Sequence, residues 1–212
     1  MSQNKKTDLL LAIFITVLIC ANILGVKITT ILGISVSVGI FMFPITFLIT
    51  DIIEEVHGKE KPKTFIKAGS IALIIVFAYT ALSIWLGASE RYPHGEAYAT
   101  IFGSTLRMLF ASLIAFLISQ YHDIWAFNFW KTKTKGKYLW LRNNASTVVS
   151  QLLDSTIFMF IAFYAIAPKF DALFIIQLII PYWLFKIVIA AIDTPFCYLG
   201  VKWLKGTKSG KK

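Results

Sequence analysis

Six long apolar runs constrain the fold of this chain more than any other feature of its sequence. They lie at about residues 9–26, 34–53, 65–87, 99–119, 147–167 and 173–201. A helix needs about 20 apolar residues to cross the hydrocarbon core of a bilayer, and several runs reach that length. Because the runs are continuously apolar rather than alternating, they favour helices over barrel strands. We therefore predict an all-α polytopic membrane protein, a bundle of six transmembrane helices in one domain over residues 1–212.

The composition supports a membrane protein and excludes an ordinary soluble domain. Of the 212 residues, 57% are hydrophobic and 15% are charged, and the mean hydropathy is +0.71. Soluble domains average about 45–50% apolar and about 25% charged residues. The first run follows Lys5 and Lys6 as a signal peptide would, but it exceeds the usual length of about 7–15 apolar residues and no small-residue cleavage site follows. We interpret it as a retained span.

Basic residues are concentrated in alternate connections between the runs. Most lysines lie at the N terminus, between the second and third runs, between the fourth and fifth runs, and in the C-terminal tail. The other connections carry only Lys27, Arg91 and Lys169. Cytoplasmic loops are enriched in Lys and Arg, so this asymmetry predicts that both termini are cytoplasmic. It also explains the net charge of +10 without nucleic-acid binding.

Charged and polar residues interrupt four of the apolar runs. A charge near the bilayer centre costs at least about 2.5–3.5 kcal/mol on insertion scales and usually faces a polar interior. The candidates are Asp51, Glu54 and Glu55 in the second run, Arg107 in the fourth, Thr147, Gln151, Asp154 and Ser155 in the fifth, and Lys186 and Asp193 in the sixth. Asp154 is the strongest of them, because an unpaired carboxylate among its apolar neighbours would be expensive.

These residues also have structural explanations. The three acids of the second run could be interfacial groups paired with nearby lysines. Arg107 and Lys186 could form ion pairs with Asp154 or Asp51 that hold the bundle together. The two roles can coexist, since a buried pair can join helices and also contact a solute. The segment QYHDIWAFNFW, residues 120–130, is predicted to be an amphipathic extension at the inner interface, where Trp and Tyr are common.

Motifs of catalytic and metal sites do not occur in this sequence. His57, His94 and His122 are scattered, without an HExxH, GxSxG or P-loop pattern. Cys20 and Cys197 are isolated, which excludes a CxxC redox or zinc motif. We predict that the protein is not an enzyme and uses no metal or other cofactor.

Four polar motifs follow one another along the chain: FPITFLITDIIEEVHGK, RMLFASLIAFLISQYHD, LWLRNNASTVVSQLLDSTIF and a last run with a lysine followed by DTP. Together they resemble the queuosine precursor transporter family, also described as a vitamin uptake transporter family, from Asn22 to Pro195. The resemblance implies a six-helix importer of 7-deazaguanine bases (preQ0, preQ1 or queuine) in the bacterial cytoplasmic (inner) membrane, with no direct nucleic-acid partner. The resemblance is also compatible with a homodimer. Glu54 and His57 stand where the family pattern has asparagine and tyrosine.

The chemistry of a 7-deazaguanine base matches these polar residues. A carboxylate can accept its two adjacent N–H groups, amides or cations can donate to its carbonyl, and aromatic rings can cover its faces. We predict that Asp154 and Gln151 bind the base edge, and that Asp51 and Glu55 hold an aminomethyl group or guard the cytoplasmic gate. The other predicted binding residues are Arg107, Lys186, Asn22, Arg142 and Asn143. Arg142 and Asn143 could instead anchor the loop before the fifth run.

Three other functions compete with this hypothesis. A substrate-binding membrane subunit of an ATP-driven vitamin importer would also have about six helices, but would depend on partner proteins. A membrane enzyme acting on a lipid should show an acid cluster repeated on two helices with metal-binding spacing, which this sequence lacks. A structural scaffold would not explain acids in the second and fifth runs together with cations in the fourth and sixth.

Overall fold

Six α-helices make up most of the protein in the computed structural model, which describes residues 1–31, 33–168 and 170–206. The helices are α1 (Gln3–Leu24), α2 (Phe43–His57), α3 (Glu60–Trp85), α4 (Gly95–Lys133), α5 (Leu139–Phe163) and α6 (Ala172–Lys205). Five of them, all except α2, are long and apolar enough to cross a membrane. This architecture confirms the predicted all-α membrane class.

The second predicted span departs most from its predicted structure. Strands β1 (Ile28–Ile31) and β2 (Ile34–Ser37) form an antiparallel hairpin, and Val38–Phe41 form a short 3₁₀ helix. The prediction of a helix is therefore wrong over residues 34–37, and over residues 38–41 the helix is of the 3₁₀ type. A short apolar run with β-branched residues at alternate positions fits a buried strand as well as a helix, and periodicity alone does not separate the two.

Helix α2 is shorter than the run that predicted it. It begins at Phe43 with Pro44 in its first turn. The N–H groups of the first turn have no partner within the helix, so proline, which lacks an N–H group, loses no hydrogen bond there. It ends before Gly58, whose φ of +78° is readily adopted only by glycine. Its 15 residues span about 22 Å at the helical rise of 1.5 Å per residue, less than the hydrocarbon core of about 30 Å.

The beginning of α1 and the end of α6 meet at one end of the bundle, which we call the terminus end. Lys6 Nζ donates to the carbonyl oxygen of Trp203 and lies 5.0 Å from the centroid of the Trp203 ring. Thr7 Oγ1 lies 3.0 Å from Nε2 of His57, the last residue of α2. The β1–β2 hairpin follows the far end of α1, and we call that opposite end of the bundle the hairpin end.

One side of the bundle is packed with aromatic and aliphatic side chains. Phe14 of α1 lies 5.7 Å from Phe65 of α3 and 6.1 Å from Phe116 of α4, measured between ring centroids. Leu18 and Ile66 are fully buried in the same cluster. Helices α1, α3 and α4 are joined by these apolar contacts, whereas the buried charged residues of the described chain lie on α2, α4, α5 and α6.

The buried face of α5 is polar, whereas the core of a soluble protein is apolar. Every buried residue of this helix from Arg142 to Ser155 is polar or charged, whereas Val149 and Leu152 are 46% and 36% exposed. A helix surrounded by lipid turns its apolar side chains outward and its polar ones toward the protein interior. The predicted polar stripe on this helix is thus confirmed as an inward-facing surface.

Candidate functional site

Asp154 and Lys186 form a buried ion pair between α5 and α6. Lys186 Nζ lies 2.7 Å from Asp154 Oδ2, and the two residues are only 4% and 3% exposed. Ser119 of α4 donates a hydrogen bond of 3.4 Å from its hydroxyl to Asp154 Oδ1. Burying an ion costs several kcal/mol unless a partner compensates it, so each of these charges depends on the other.

A cavity lies beside this ion pair, and both members of the pair form part of its wall. We call it the ion-pair cavity; its empty volume is about 500 Å³, including the part open to its surroundings. Asn22 of α1 and Ser112 of α4 are among its polar lining residues, and Ser37 places it toward the hairpin end. The pair is therefore not sealed between helices, because open space adjoins both charges.

Three aromatic side chains also line the ion-pair cavity: Phe43, Phe158 and Tyr182. Lys186 Nζ lies 5.2 Å from the ring centroid of Phe43 and 5.2 Å from that of Tyr182. A cation at this distance from a ring is attracted to its face. The cavity thus combines a carboxylate, a cation and flat apolar surfaces, as recognition of a planar heterocycle requires.

A second cavity lies between α2, α5 and α6, nearer the terminus end. Its polar lining residues are Asp51, Asn143, Thr147, Gln151 and Asp193, and its empty volume is about 250 Å³. We call it the acidic cavity, because its two charged lining residues are carboxylates. Gln151, which we predicted to bind the base edge together with Asp154, lines the acidic cavity instead.

Glu55 joins four helices at the terminus end. Its Oε2 atom lies 2.6 Å from Arg142 Nη2 of α5 and 3.0 Å from Lys131 Nζ of α4, and its Oε1 atom lies 3.8 Å from Lys205 Nζ of α6. Arg142 also donates to two carbonyl groups of the α4–α5 loop, at 2.9 and 3.0 Å. Glu55 and Arg142 are therefore engaged in holding the bundle together. This agrees with the alternative prediction that Arg142 anchors the loop before the fifth run.

Arg107 lies away from both cavities. Its side chain is exposed and donates from Nε to the carbonyl of Ile161 at 3.0 Å and from Nη2 to that of Tyr164 at 2.9 Å. A cation that binds the last carbonyl groups of a helix stabilises its C-terminal end. The position of Arg107 is therefore explained by the end of α5.

The predicted binding residues fall into separate groups. The ion-pair cavity is lined by Asp154, Lys186 and Asn22, and the acidic cavity by Asp51, Gln151 and Asn143. Glu55 and Arg142 form the ion pair at the terminus end, and Arg107 caps α5. The two cavities, rather than a single pocket, contain the residues that remain free to meet a solute.

Sequence reasoning missed the polar face of α4. Ser112, Ser119 and Asp123 are 5%, 0% and 1% exposed, and their spacing of seven and four residues places them on one helical face. Ser112 lines the ion-pair cavity and Ser119 binds Asp154. The spacing was a usable signal, but the Trp and Tyr residues after position 120 favoured an interfacial interpretation of that segment.

Gly39 allows the 3₁₀ helix to touch α1 in the wall of the ion-pair cavity. A Cβ atom at Gly39 would lie 2.7 Å from the carbonyl oxygen of Ala21. We expect Gly39→Ala to lower the free energy of unfolding by about 1–3 kcal/mol through overpacking, measured by thermal unfolding. Gly103→Ala is the matched control, because nothing lies within 4 Å of that position; an equal loss in both variants would contradict the prediction.

Comparisons with known proteins agree with the motifs in the sequence. A family profile described as "Putative vitamin uptake transporter" matches residues 37–200. The "Probable queuosine precursor transporter" of Bacillus subtilis (strain 168) is 31% identical over 188 residues, covering 88% of this chain and 80% of that protein. The "Queuosine precursor transporter" of Escherichia coli (strain K12) is 27% identical over 192 residues, covering 90% and 84%. No solved structure matches. The chain therefore belongs to the queuosine precursor transporter family, also described as the vitamin uptake transporter family.

Proposed function

We propose that this protein imports 7-deazaguanine precursors of queuosine across the bacterial cytoplasmic membrane. The observation that carries the proposal is the Asp154–Lys186 ion pair, which lies in the wall of a cavity that aromatic rings also line. Two relatives that resemble this chain over most of its length are named queuosine precursor transporters. The protein acts as a carrier of a small molecule rather than as an enzyme.

The ion pair is complementary to the edge of a 7-deazaguanine ring. The carboxylate of Asp154 accepts the two adjacent N–H groups of the base, an arrangement that makes charged hydrogen bonds strong. Lys186 donates to the ring carbonyl, since its ammonium group offers three donors on a flexible stem. When no base is bound, the two side chains pair with one another at 2.7 Å, so neither charge stays buried and unpaired.

The remaining wall of the ion-pair cavity fits the rest of the base. Phe43, Phe158 and Tyr182 cover the two flat faces, where aromatic contact contributes about 0.5–1.5 kcal/mol beyond burial. Asn22 donates from Nδ2 to the carbonyl of Leu18 at 2.8 Å. Its side-chain oxygen can therefore accept a further N–H group of the ligand.

The proposed arrangement in the membrane has six crossings with both termini in the cytoplasm. The contact between Lys6 and Trp203 supports an even number of crossings, because it places the beginning of α1 and the end of α6 at the same end of the bundle. The short α2 serves as the second crossing together with the hairpin before it. The terminus end, with its lysines, then faces the cytoplasm, and a base arriving from outside meets the ion-pair cavity first.

Rescue of queuosine in tRNA tests the proposed function in cells. A strain that neither makes nor imports the precursors should regain queuosine when it expresses this protein and receives a 7-deazaguanine base at low concentration. Asp154→Asn exchanges an acceptor for a donor, so this variant should reach the membrane but fail to restore queuosine. Arg107→Gln is the matched control and should restore it, because Arg107 contacts neither cavity.

Uptake by the purified protein separates the carrier from its main rival. In liposomes without ATP or other proteins, the wild-type protein should accumulate labelled base inside the vesicles. If the base binds but enters only when an ATPase partner is added, the protein is instead the substrate-binding subunit of an ATP-driven importer. If the base neither binds nor enters, the proposed function is wrong.

A further inference from the structure

We propose that the acidic cavity is a second binding site for the imported base, and that it favours bases carrying a positively charged aminomethyl group. This inference rests on the proposed function and specifies its substrate class. The cavity lies between α2, α5 and α6, and its empty volume of about 250 Å³ includes the part open to its surroundings. Its enclosed part has room for about one water molecule, so a base enters it only when these helices separate during transport. Its lining and its charge are the observations that indicate a ligand.

Unpartnered oxygen atoms are concentrated in the wall of this cavity. Asp51, Asn143, Thr147 and Gln151 are 2%, 3%, 3% and 1% exposed. Within the described part of the chain, Oδ1 of Asp51, Oδ1 of Asn143, Oγ1 of Thr147 and Oε1 of Gln151 have no hydrogen-bond partner. A buried polar group without a partner costs about 1–3 kcal/mol. A ligand rich in N–H groups would satisfy these atoms.

The charge of the cavity favours a cationic ligand. Asp51 and Asp193 line it, and no Lys or Arg side chain of the described residues does. Asp123, which is hydrogen-bonded to Asp51, and Glu54 place two further carboxyl groups beside it. Arg142 also acts on Asp51, but its hydrogen bonds go to Glu55 and to loop carbonyl groups. The carboxyl groups of the wall therefore have no cation of their own among the described lining residues, which favours a cationic ligand.

An organic cation fits this wall better than a metal ion. Among the described residues, no group of three or more His, Cys, Asp or Glu side chains could hold a metal. The wall instead mixes two carboxylates with two amides and one hydroxyl. Amide side chains can present either an oxygen or an NH₂ group, which suits a ring that carries both donors and acceptors.

The two cavities follow one another along helix α5. On α5, Asn143, Thr147 and Gln151 line the acidic cavity, and Asp154 and Phe158 line the ion-pair cavity. At 1.5 Å per residue, these positions extend over about 22 Å of helix.

The facing helices repeat this order of the two cavities. Lys186 on α6 lines the ion-pair cavity and Asp193 the acidic cavity, while Phe43 and Asp51 do the same on α2. A base released by Asp154 toward the terminus end therefore meets Gln151 next and Asp51 after it.

The test compares 7-aminomethyl-7-deazaguanine, which is cationic at neutral pH, with neutral 7-deazaguanine. In liposomes, Asp193→Asn should raise the half-saturating concentration of the aminomethyl base by at least about 10-fold, as expected for a lost charge-assisted hydrogen bond. The value for the neutral base should stay within about 3-fold of wild type. Asp51→Asn should act in the same direction, and Asp193→Glu should restore the preference for the cation.

Glu60→Gln is the matched control. The Glu60 side chain is a carboxylate that is 72% exposed and pairs with Lys63, and it does not line the cavity. Its replacement should leave the preference between the two bases unchanged. Thermal unfolding of each variant shows whether it is folded.

The outcomes separate this inference from the proposed function. If the wild-type protein transports neither base, the proposed function fails. If it transports both, and the Asp51 and Asp193 variants affect both equally or neither, only the acidic site is refuted. If replacing sodium by choline abolishes wild-type uptake and Asp193→Asn changes only the sodium dependence, the cavity holds an inorganic cation, which also overturns the inference.

Discussion

Replacing Lys186 with methionine is expected to remove most of the uptake and to destabilise the protein. The variant leaves the Asp154 carboxylate, 4% exposed, without its cation, and removing one partner of a buried pair costs about 3–5 kcal/mol. Loss of a buried charged contact to the ligand typically costs at least about 2 kcal/mol, so uptake should fall by at least about 30-fold. Transport in liposomes and thermal unfolding in detergent measure the two effects.

The double variant Asp154→Leu with Lys186→Met distinguishes a structural pair from a binding pair. Replacing both charges by apolar side chains of similar volume is often neutral or stabilising, so the double variant should recover the stability that the single variant loses. Its uptake should stay as low as that of Lys186→Met, because the base still lacks its polar partners. A double variant that transports normally would show that the pair only holds α5 and α6 together.

Replacement of Glu55 by glutamine is the second large effect that we expect. The Glu55 carboxylate lies within 4 Å of three cations, one of which, Arg142, is 1% exposed. The neutral amide leaves that guanidinium without its anion, so we expect a loss of about 3 kcal/mol or more in the free energy of unfolding. Thermal or denaturant unfolding of the purified protein measures the change.

Glu60→Gln provides the matched control for Glu55→Gln. Glu60 also pairs with a lysine, Lys63 at 2.8 Å, but its side chain is 72% exposed. An exposed pair contributes about 0–1 kcal/mol, so this variant should be close to wild type in stability. Equal destabilisation by the two variants would mean that Glu55 does not hold the terminus end together.

The sequence was most informative where a charged residue lies within an apolar run. Asp154 and Lys186 were identifiable because an ionised group in an apolar run needs a partner, and the structure pairs them. The inward-facing stripe of α5 was predictable because polar residues recur on one face of a helix. Both predictions depend on local spacing and on the cost of burial, which a single sequence contains.

Other parts depended on contacts between distant segments. Nothing near Arg107 in the sequence reveals that it caps α5, because its partners, Ile161 and Tyr164, lie more than fifty residues away. The hairpin strands, Ile28–Ile31 and Ile34–Ser37, were missed because each is only four residues long and the second one opens a long apolar run. Asp123 was missed although its spacing from Ser119 places the two on one face of α4, because the Trp and Tyr residues around it favoured an interfacial interpretation.

The position of the ion pair on the last two helices has a consequence for biosynthesis. The ribosome completes α5 before it begins α6, so the carboxylate at position 154 enters the bilayer before its ammonium partner exists. During that interval the hydroxyl of Ser119, on the helix already inserted, is the group that can solvate it. Maturation of the nascent chain thus ends only when α6 docks, and a truncated product lacking Lys186 would retain a charge that quality-control proteases can recognise as unfinished assembly.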